Sequence, residues 1–411
     1  HKKQYKTKKK VRSSMSLPHL SSCMSKSKID VEEAIKNQNN VALIVSKHLF
    51  SNEAKHSNIV FSPASINTAL TLVASGPGGS SVADEILSFL KSSSTVELNA
   101  VFSEIVSVVF ADSSAEGGPK ISPAYGLWIE QSLPVESYYK DLFENFFKAG
   151  FNRVDFRKKA EQVRTELNAW AENHTNGLIK DVLPPGSVTS VTDWVYGNAL
   201  YFKGVWQTPF DKFLMRDREF FLVNGTSVSV PFMSSYGDQY IEVYDGFKVL
   251  KTPYRQGRDE ADDTNHKFSM YFFLPDKKDG LDSLVETMTS TCGFLDSHIP
   301  SYEVKVGEFG IPKFKIDYGL DCGKALSGLG LRKMSLYHKA CVEIDEEGAI
   351  AAAVTFVIPP SGCPLYMEPP KRIDFVADHP FLFLIREDKT GTVLFAGQIF
   401  DPSKSSSPAY G

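Results

Sequence analysis

Residues 343–355, EIDEEGAIAAAVT, constrain this chain more than any other stretch, because they pass from strand formers through Gly348 into small residues with almost no turn signal. Alanine carries no side chain large enough to clash when a segment slides between two neighbours. Val354, Thr355, Phe356 and Val357 then add β-branched and aromatic strand formers. Residues 359–364, PPSGCP, cannot prolong a ladder, since proline has no amide donor. The segment reads as backbone able to become strand, ending in an exposed bait.

The rest of the chain supplies both kinds of element. Val41, Ile44, Val45 and Leu49 recur at helical spacing after Asn39-Asn40, which predicts a helix capped by asparagine. Ser81 with Asp84 opens a second helical pattern through Val82, Ile86, Phe89 and Leu90. Phe268, Met270, Phe272 and Leu274 alternate before a Pro-Asp turn, Phe314, Ile316 and Tyr318 alternate again, and residues 387–391 form a last hairpin turn. Helices dominate the first third and strands the end, which predicts an α+β fold. The acidic run 256–266 lacks periodicity and is expected to be a surface loop.

Hydrophobic residues make up 42% and charged residues 23% of 411, enough for one large core. The net charge of −4 points to neither nucleic acid nor a membrane surface, and no apolar run looks long enough to span a bilayer. Cys23, Cys292, Cys322, Cys341 and Cys363 are odd in number and scattered, which predicts neither a zinc site nor a disulfide framework. GxSxG, P-loop, GxGxxG and HExxH signatures are absent, so no enzyme class is indicated. Residues 1–28, crowded with lysine, read as a disordered basic extension without the apolar core of a signal peptide. The expected address is cytoplasmic or nuclear, with an extracellular one left open.

Several longer motifs occur in a consistent order. FVADHPFLFLIR at 375–386, NALYFKGVW at 198–206, NIVFSPASI at 58–66 and TNGLIK at 175–180, together with the alanine-rich run, resemble the serpin family from about Ile29 to Pro402. LPPGSV at 183–188 is most similar to plant serpins of the Z type. The resemblance implies a serpin fold: helices packed around a large mixed central sheet, further sheets, and a reactive-centre loop at about 346–370. It also implies one domain over 29–402 with a flexible tail at 403–411, and no cofactor.

The same resemblance implies inhibition of a serine or papain-like cysteine endopeptidase, by a loop that is cut and then inserts into the central sheet as a strand. The implied hinge is Glu346, Glu347, Gly348, Ala349, Ile350, Ala351, Ala352 and Ala353, and counting from Glu346 puts the reactive bond between Gly362 and Cys363. If the inserted strand turns Ala349 inward, alternation turns Ala351, Ala353 and Thr355 inward with it. Ile350, where inhibitory members usually carry glutamate, then points outward. Ser65, Asn198 and His338 match the family's shutter beneath the sheet. Trp206 matches the breach where insertion begins, and Lys313 matches the partner of Glu346. A monomer is implied, with neither a nucleic acid nor a membrane partner and no catalytic or metal-binding residue. A non-inhibitory serpin acting as a binding or scaffold protein is the alternative.

Overall fold

The computed structural model describes residues 28–257, 266–346 and 371–405. The helices are α1 (Val31–His48), α2 (Pro63–Ser75), α3 (Ser80–Phe89), α4 (Thr95–Glu104), α5 (Tyr138–Asp141), α6 (Phe156–His174), α7 (Leu281–Ser290), α8 (Phe294–Ser297) and α9 (Cys322–Ser327). The strands form three sheets. The first runs β1 (Ile59–Phe61), β16 (Val393–Ile399), β15 (Phe381–Glu387), β9 (Phe268–Pro275), β8 (Phe247–Pro253), β7 (Gln239–Tyr244) and β10 (Glu303–Val304), antiparallel throughout. A second is β14 (Ile373–Val376), β11 (Val306–Pro312), β6 (Ser227–Met233) and β5 (Arg216–Phe221). The third is β12 (Phe314–Asp321), β13 (Leu336–Ile344), β4 (Trp194–Lys203), β2 (Lys120–Glu130) and β3 (Gly150–Val154).

This third sheet is mixed, as the second is through its parallel β11–β14 pair: β13 lies parallel to β4 and β2 parallel to β3, while its other neighbours are antiparallel. With five strands it is smaller than the seven-stranded antiparallel sheet. Its residues alternate between two cores, as a strand's period of two requires. Ile121, Leu127, Ile129, Leu200 and Phe202 face the main core that also holds β9, β15 and β16. Ala124, Trp128, Val195, Ala199, Tyr201, Tyr337 and Cys341 face a separate cluster made with Phe156, Val163, Leu167 and Ala171 of α6.

Two predicted helix starts move. Asp30, whose carboxylate accepts the Glu33 N–H at 3.1 Å, caps α1, so Asn39 lies inside the helix. Its amide instead donates to Gly391 O at 2.7 Å and accepts the Val393 N–H at 3.3 Å, tying α1 to the β15–β16 turn. Gly79, at φ +88°, precedes α3, so Ser81 is already helical. The expected absence of any span-like run also needs correction: the helical stretch Thr95–Glu116 is long and apolar enough by length and composition. Much of that character is a core face, with Leu98, Val101, Phe102, Ile105, Val109 and Phe110 buried. Strand β9 is buried at every position, not only at alternate ones. Asp388 satisfies its intervening polar groups, accepting Ser269 Oγ and Tyr271 OH at 2.6 Å each.

The entry to α6 is fixed by two carboxylates. Asp155 accepts the Lys158 N–H at 3.0 Å as N-cap. Glu130, buried at the end of β2, accepts the N–H groups of Phe156 (2.8 Å), Arg157 (3.3 Å) and Ser132 (3.1 Å) and the Ser132 hydroxyl (2.9 Å). Burial acts to raise its pKa, but these donors outweigh burial and hold it below the ordinary 4.5. Both oxygens accept, so an amide must turn an NH₂ toward a donor. Glu130→Gln is therefore expected to lower the melting temperature by several degrees at pH 7. A depressed carboxylate contributes its stability above the unfolded-state pKa and loses it as pH falls through the folded one. The gap between parent and variant should accordingly narrow below about pH 4; a pH-independent gap in calorimetric scans would remove the charged carboxylate from this account.

Candidate functional site

The sheet's distinctive feature is the direct parallel pairing of β13 with β4, from Leu336 opposite Tyr196 to Val342 opposite Phe202. The α2 N-terminus lies beneath it. Ser62 caps that helix by accepting the Ser65 N–H at 3.0 Å, and Pro63 occupies the first turn, where its missing amide proton costs nothing.

Here Ser65, Asn198 and His338 come together, all fully or almost fully buried. Asn198 Nδ2 donates to both Ser65 O and Ser65 Oγ at 2.6 Å, and Asn198 Oδ1 lies 2.5 Å from His338 Nδ1. The other ring nitrogen, Nε2, accepts the Ser62 N–H at 3.0 Å. An imidazole that accepts at Nε2 must carry its single proton on Nδ1, so the ring is neutral and donates to Asn198. Burial drives its pKa down to about 3. Every polar atom in the chain from Ser62 to Ser65 is thus paired. Losing one member would leave a buried partner unsatisfied, at about 1 to 3 kcal/mol.

A second group sits where β13 ends, some seven residues from His338, or about 23 Å along an extended strand. Trp206 Nε1 donates to Asp345 O at 2.7 Å, and the Phe210 N–H donates to Glu346 O at 3.0 Å. Lys313 Nζ lies 2.6 Å from Glu346 Oε2, both side chains partly screened from water. Burial works to raise the Glu346 pKa, yet the Lys313 ammonium leaves it below the ordinary carboxylate value. The Trp206 ring stacks on Tyr254 with centroids 4.5 Å apart and planes 11° apart. Gly204 permits this approach: a Cβ there would lie 2.3 Å from the Tyr254 ring.

On the opposite face, the segment between α6 and β4 lies over the seam. Ile179, Val182, Leu183 and Val188 are buried against Tyr337, Cys341 and their neighbours. Lys339 Nζ donates to Lys180 O at 2.6 Å and pairs with Asp317 at 3.1 Å, and Tyr337 OH reaches Ser187 O at 3.4 Å. Thr175 Oγ1 and Asn168 hold that segment to α6 through bonds to Ile179 and Leu183.

Sequence reasoning named Ser65, Asn198, His338, Trp206, Lys313 and Glu346 but missed Ser62, Phe210, Tyr254 and Lys339. Ser62 before Pro63 is a helix-start signal that could have found it; the other three carry no local signature. Glu347, Gly348, Ala349, Ile350, Ala351, Ala352, Ala353, Gly362 and Cys363 lie outside the described residues, as do the basic extension up to residue 27, the acidic run 258–265 and the tail from 406.

The two adjacent parallel strands have a polar cluster beneath them and the segment between α6 and β4 across their other face, and the chain belongs to the serpin family. The family model described as "Serpin (serine protease inhibitor)" matches residues 36–402. The chain is 65% identical to Serpin-Z1 of Arabidopsis thaliana over 91% of its own length and 97% of that protein. It is 59% identical to the Arabidopsis thaliana protein named "Probable non-inhibitory serpin-Z5", covering 98% of this chain and 94% of that one. Among solved structures, Arabidopsis AtSerpin1 in its native stressed conformation matches with a TM-score of 0.83 at 45% identity, over 92% of this chain and all of that one.

The neutral imidazole gives a pH signature. Unfolded, His338 titrates near 6.5, and folded near 3, so the unfolded chain binds the extra proton between these values. Stability is present above pH 6.5 and drains away as pH falls toward 3, by an amount on the order of a few kcal/mol. In His338→Gln the amide reproduces one acceptor and one donor but does not titrate. The variant is expected to melt somewhat lower than the parent at pH 7.5 and to lose less between pH 6.5 and 4. Parallel melting curves for the two proteins across that range would take the acid response away from His338.

Proposed function

We propose that the protein inhibits a serine or papain-like cysteine endopeptidase by presenting residues 346–370 as a substrate and, once cut, inserting the hinge between β13 and β4. The observation that carries this reading is the parallel β13–β4 seam with the hinge continuing from the end of β13. A strand that reverses beyond Glu346 and enters the seam runs antiparallel to β13, and therefore antiparallel to β4 as well. Opening the seam breaks one parallel ladder; closing it makes two antiparallel ones, whose pairing is the more stable per residue. The direction of change is downhill, and the pins at each end of the seam supply the barrier that delays it.

In this reading Ser65, Asn198 and His338 act as the shutter, and Trp206 with the Lys313–Glu346 pair holds the breach. Gly362 supplies the carbonyl attacked by the protease, and Cys363 begins the released fragment. Incubation with chymotrypsin-like, subtilisin-like and papain-like enzymes should yield a denaturant-resistant adduct with at least one of them. The freed C-terminal peptide should start at Cys363, and cutting anywhere in 357–367 should raise the melting temperature sharply. A different first residue moves the bait bond, whereas an unchanged melting temperature after a verified cut removes insertion.

A second reading, a non-inhibitory binding protein, is favoured by the name of the relative that is 59% identical and by Ile350 and Gly362, which supply neither the hinge glutamate nor a side chain for a primary protease pocket. Two substitutions separate the readings. Ala349→Arg sends a charge inward at the first inserted position, where burial without a partner costs several kcal/mol. It should turn the inhibitor into a substrate cut at the same bond, with active protease released. Ile350→Glu, facing outward, should leave trapping unchanged or improved. Equal trapping by Ala349→Arg and the parent would reverse the strand's register, and a parent that is cut but never traps would establish the second reading.

A further inference from the structure

Away from the seam, residues of α5, α6, β2 and β3 line an open cavity of about 530 Å³, within the size range of small-molecule sites. Its two indoles are seated on a row of glycines in the sheet. Gly197, Gly126 and Gly150 stand opposite one another on β4, β2 and β3. A Cβ on Gly126 would lie 2.9 Å from the Trp128 indole, one on Gly197 3.3 Å from the same ring, and one on Gly150 3.2 Å from Trp170. The glycine row thus seats two indoles, packed edge to face with centroids 4.9 Å apart, and Trp128 and Trp170 both line the cavity.

Asn152, the register partner of Trp128, lines the same space, and its amide nitrogen is buried without a hydrogen-bond partner. A buried N–H donor left unpaired is costly, so this atom calls for an acceptor. The ionic lining sets the sign. Lys140 and Arg153 are cationic and Glu166 is anionic, which leaves an excess of positive charge. Arg153 is directed at Gln131 O and Leu133 O, at 2.7 and 2.5 Å, and Glu166 accepts from Gln162 at 2.8 Å. Lys140, on α5, is exposed at the rim.

We propose that this cavity is a binding site for a small aromatic carboxylate, its ring against Trp128 and Trp170 and its carboxylate between Asn152 Nδ2 and the Lys140 ammonium. Aromatic walls select a flat apolar body, an unpaired buried donor selects an acceptor, and the charge excess selects an anion. The site lies outside the β13–β4 seam, and its occupancy does not depend on protease inhibition.

Isothermal titration of the full-length protein with 2-naphthoate tests the site. Saturable binding is expected with a dissociation constant below about 1 mM. 2-Naphthylmethylamine, with the same rings and the opposite charge, should bind at least about tenfold more weakly. Asn152→Leu and Lys140→Ala should each weaken naphthoate severalfold. Asn152→Leu removes an unsatisfied buried donor, so its melting temperature should equal or exceed the parent's, which keeps lost binding distinct from lost folding. Absence of saturable heat up to about 10 mM naphthoate, equal binding of the amine, or naphthoate affinity unchanged in both variants would each overturn the proposal.

Discussion

The hydrogen bond between His338 and Asn198 joins the two parallel strands on which the rest of the structure turns. Parallel pairing sets side chains at matched heights, so His338 and Asn198 stand opposite one another in register, and the α2 N-terminus below them supplies Ser62 and Ser65. The arrangement is fully satisfied only with a neutral ring, because Nε2 must accept while Nδ1 donates. It therefore needs burial and neutrality together, and burial secures neutrality by depressing the ring's pKa. Polar networks of this kind favour one arrangement strongly and tolerate partial loss poorly.

The two faces of the five-stranded sheet are built differently, and the difference bears on what can move. The face toward the seven-stranded sheet carries Leu127, Ile129, Leu200 and Phe202 within the main apolar core. The other face meets α6 and its trailing segment through a smaller cluster, fastened by discrete polar contacts such as Lys339 to Lys180 O. Separating large buried apolar surfaces costs roughly 25 cal/mol per Å². Releasing individual hydrogen bonds costs about 0.5 to 1.5 kcal/mol each when water replaces the partner. In the proposed insertion the α6 side, whose apolar cluster is the smaller, is the one that would yield.

Much of this was legible in the sequence, for physical reasons. Motifs such as NIVFSPASI and NALYFKGVW bring Ser65 and Asn198 to one place because helix entry and strand pairing leave little freedom there, and the Lys313–Glu346 pair, expected from the resemblance alone, forms because β12 begins beside the point where β13 ends. Local pattern failed where tertiary contacts override it. Asn39 looks like a cap, yet it spends both its polar atoms on the β15–β16 turn. In β9 the alternation suggested a half-exposed strand, but Asp388, distant in sequence, satisfies the polar residues on its second face. Tyr254 stacks on Trp206 only because Gly204 lets it in, and no spacing rule connects those three positions.

The position of the two pinning groups suits the proposed insertion, in which a strand enters from one end. Trp206, Phe210 and Lys313 grip residues 345 and 346, where β13 gives way to the hinge, so they resist the first step of any separation. His338 and Asn198 lie seven residues deeper and are felt only after the upper part of the ladder has parted. Resistance arranged in series lets a short opening at the top close again while the lower cluster stays intact. In the proposed mechanism such a chain holds β13 and β4 together against thermal fluctuation and still admits a strand whose own ladder bonds replace each one broken, because the strand would advance from the end where the first pin gives way.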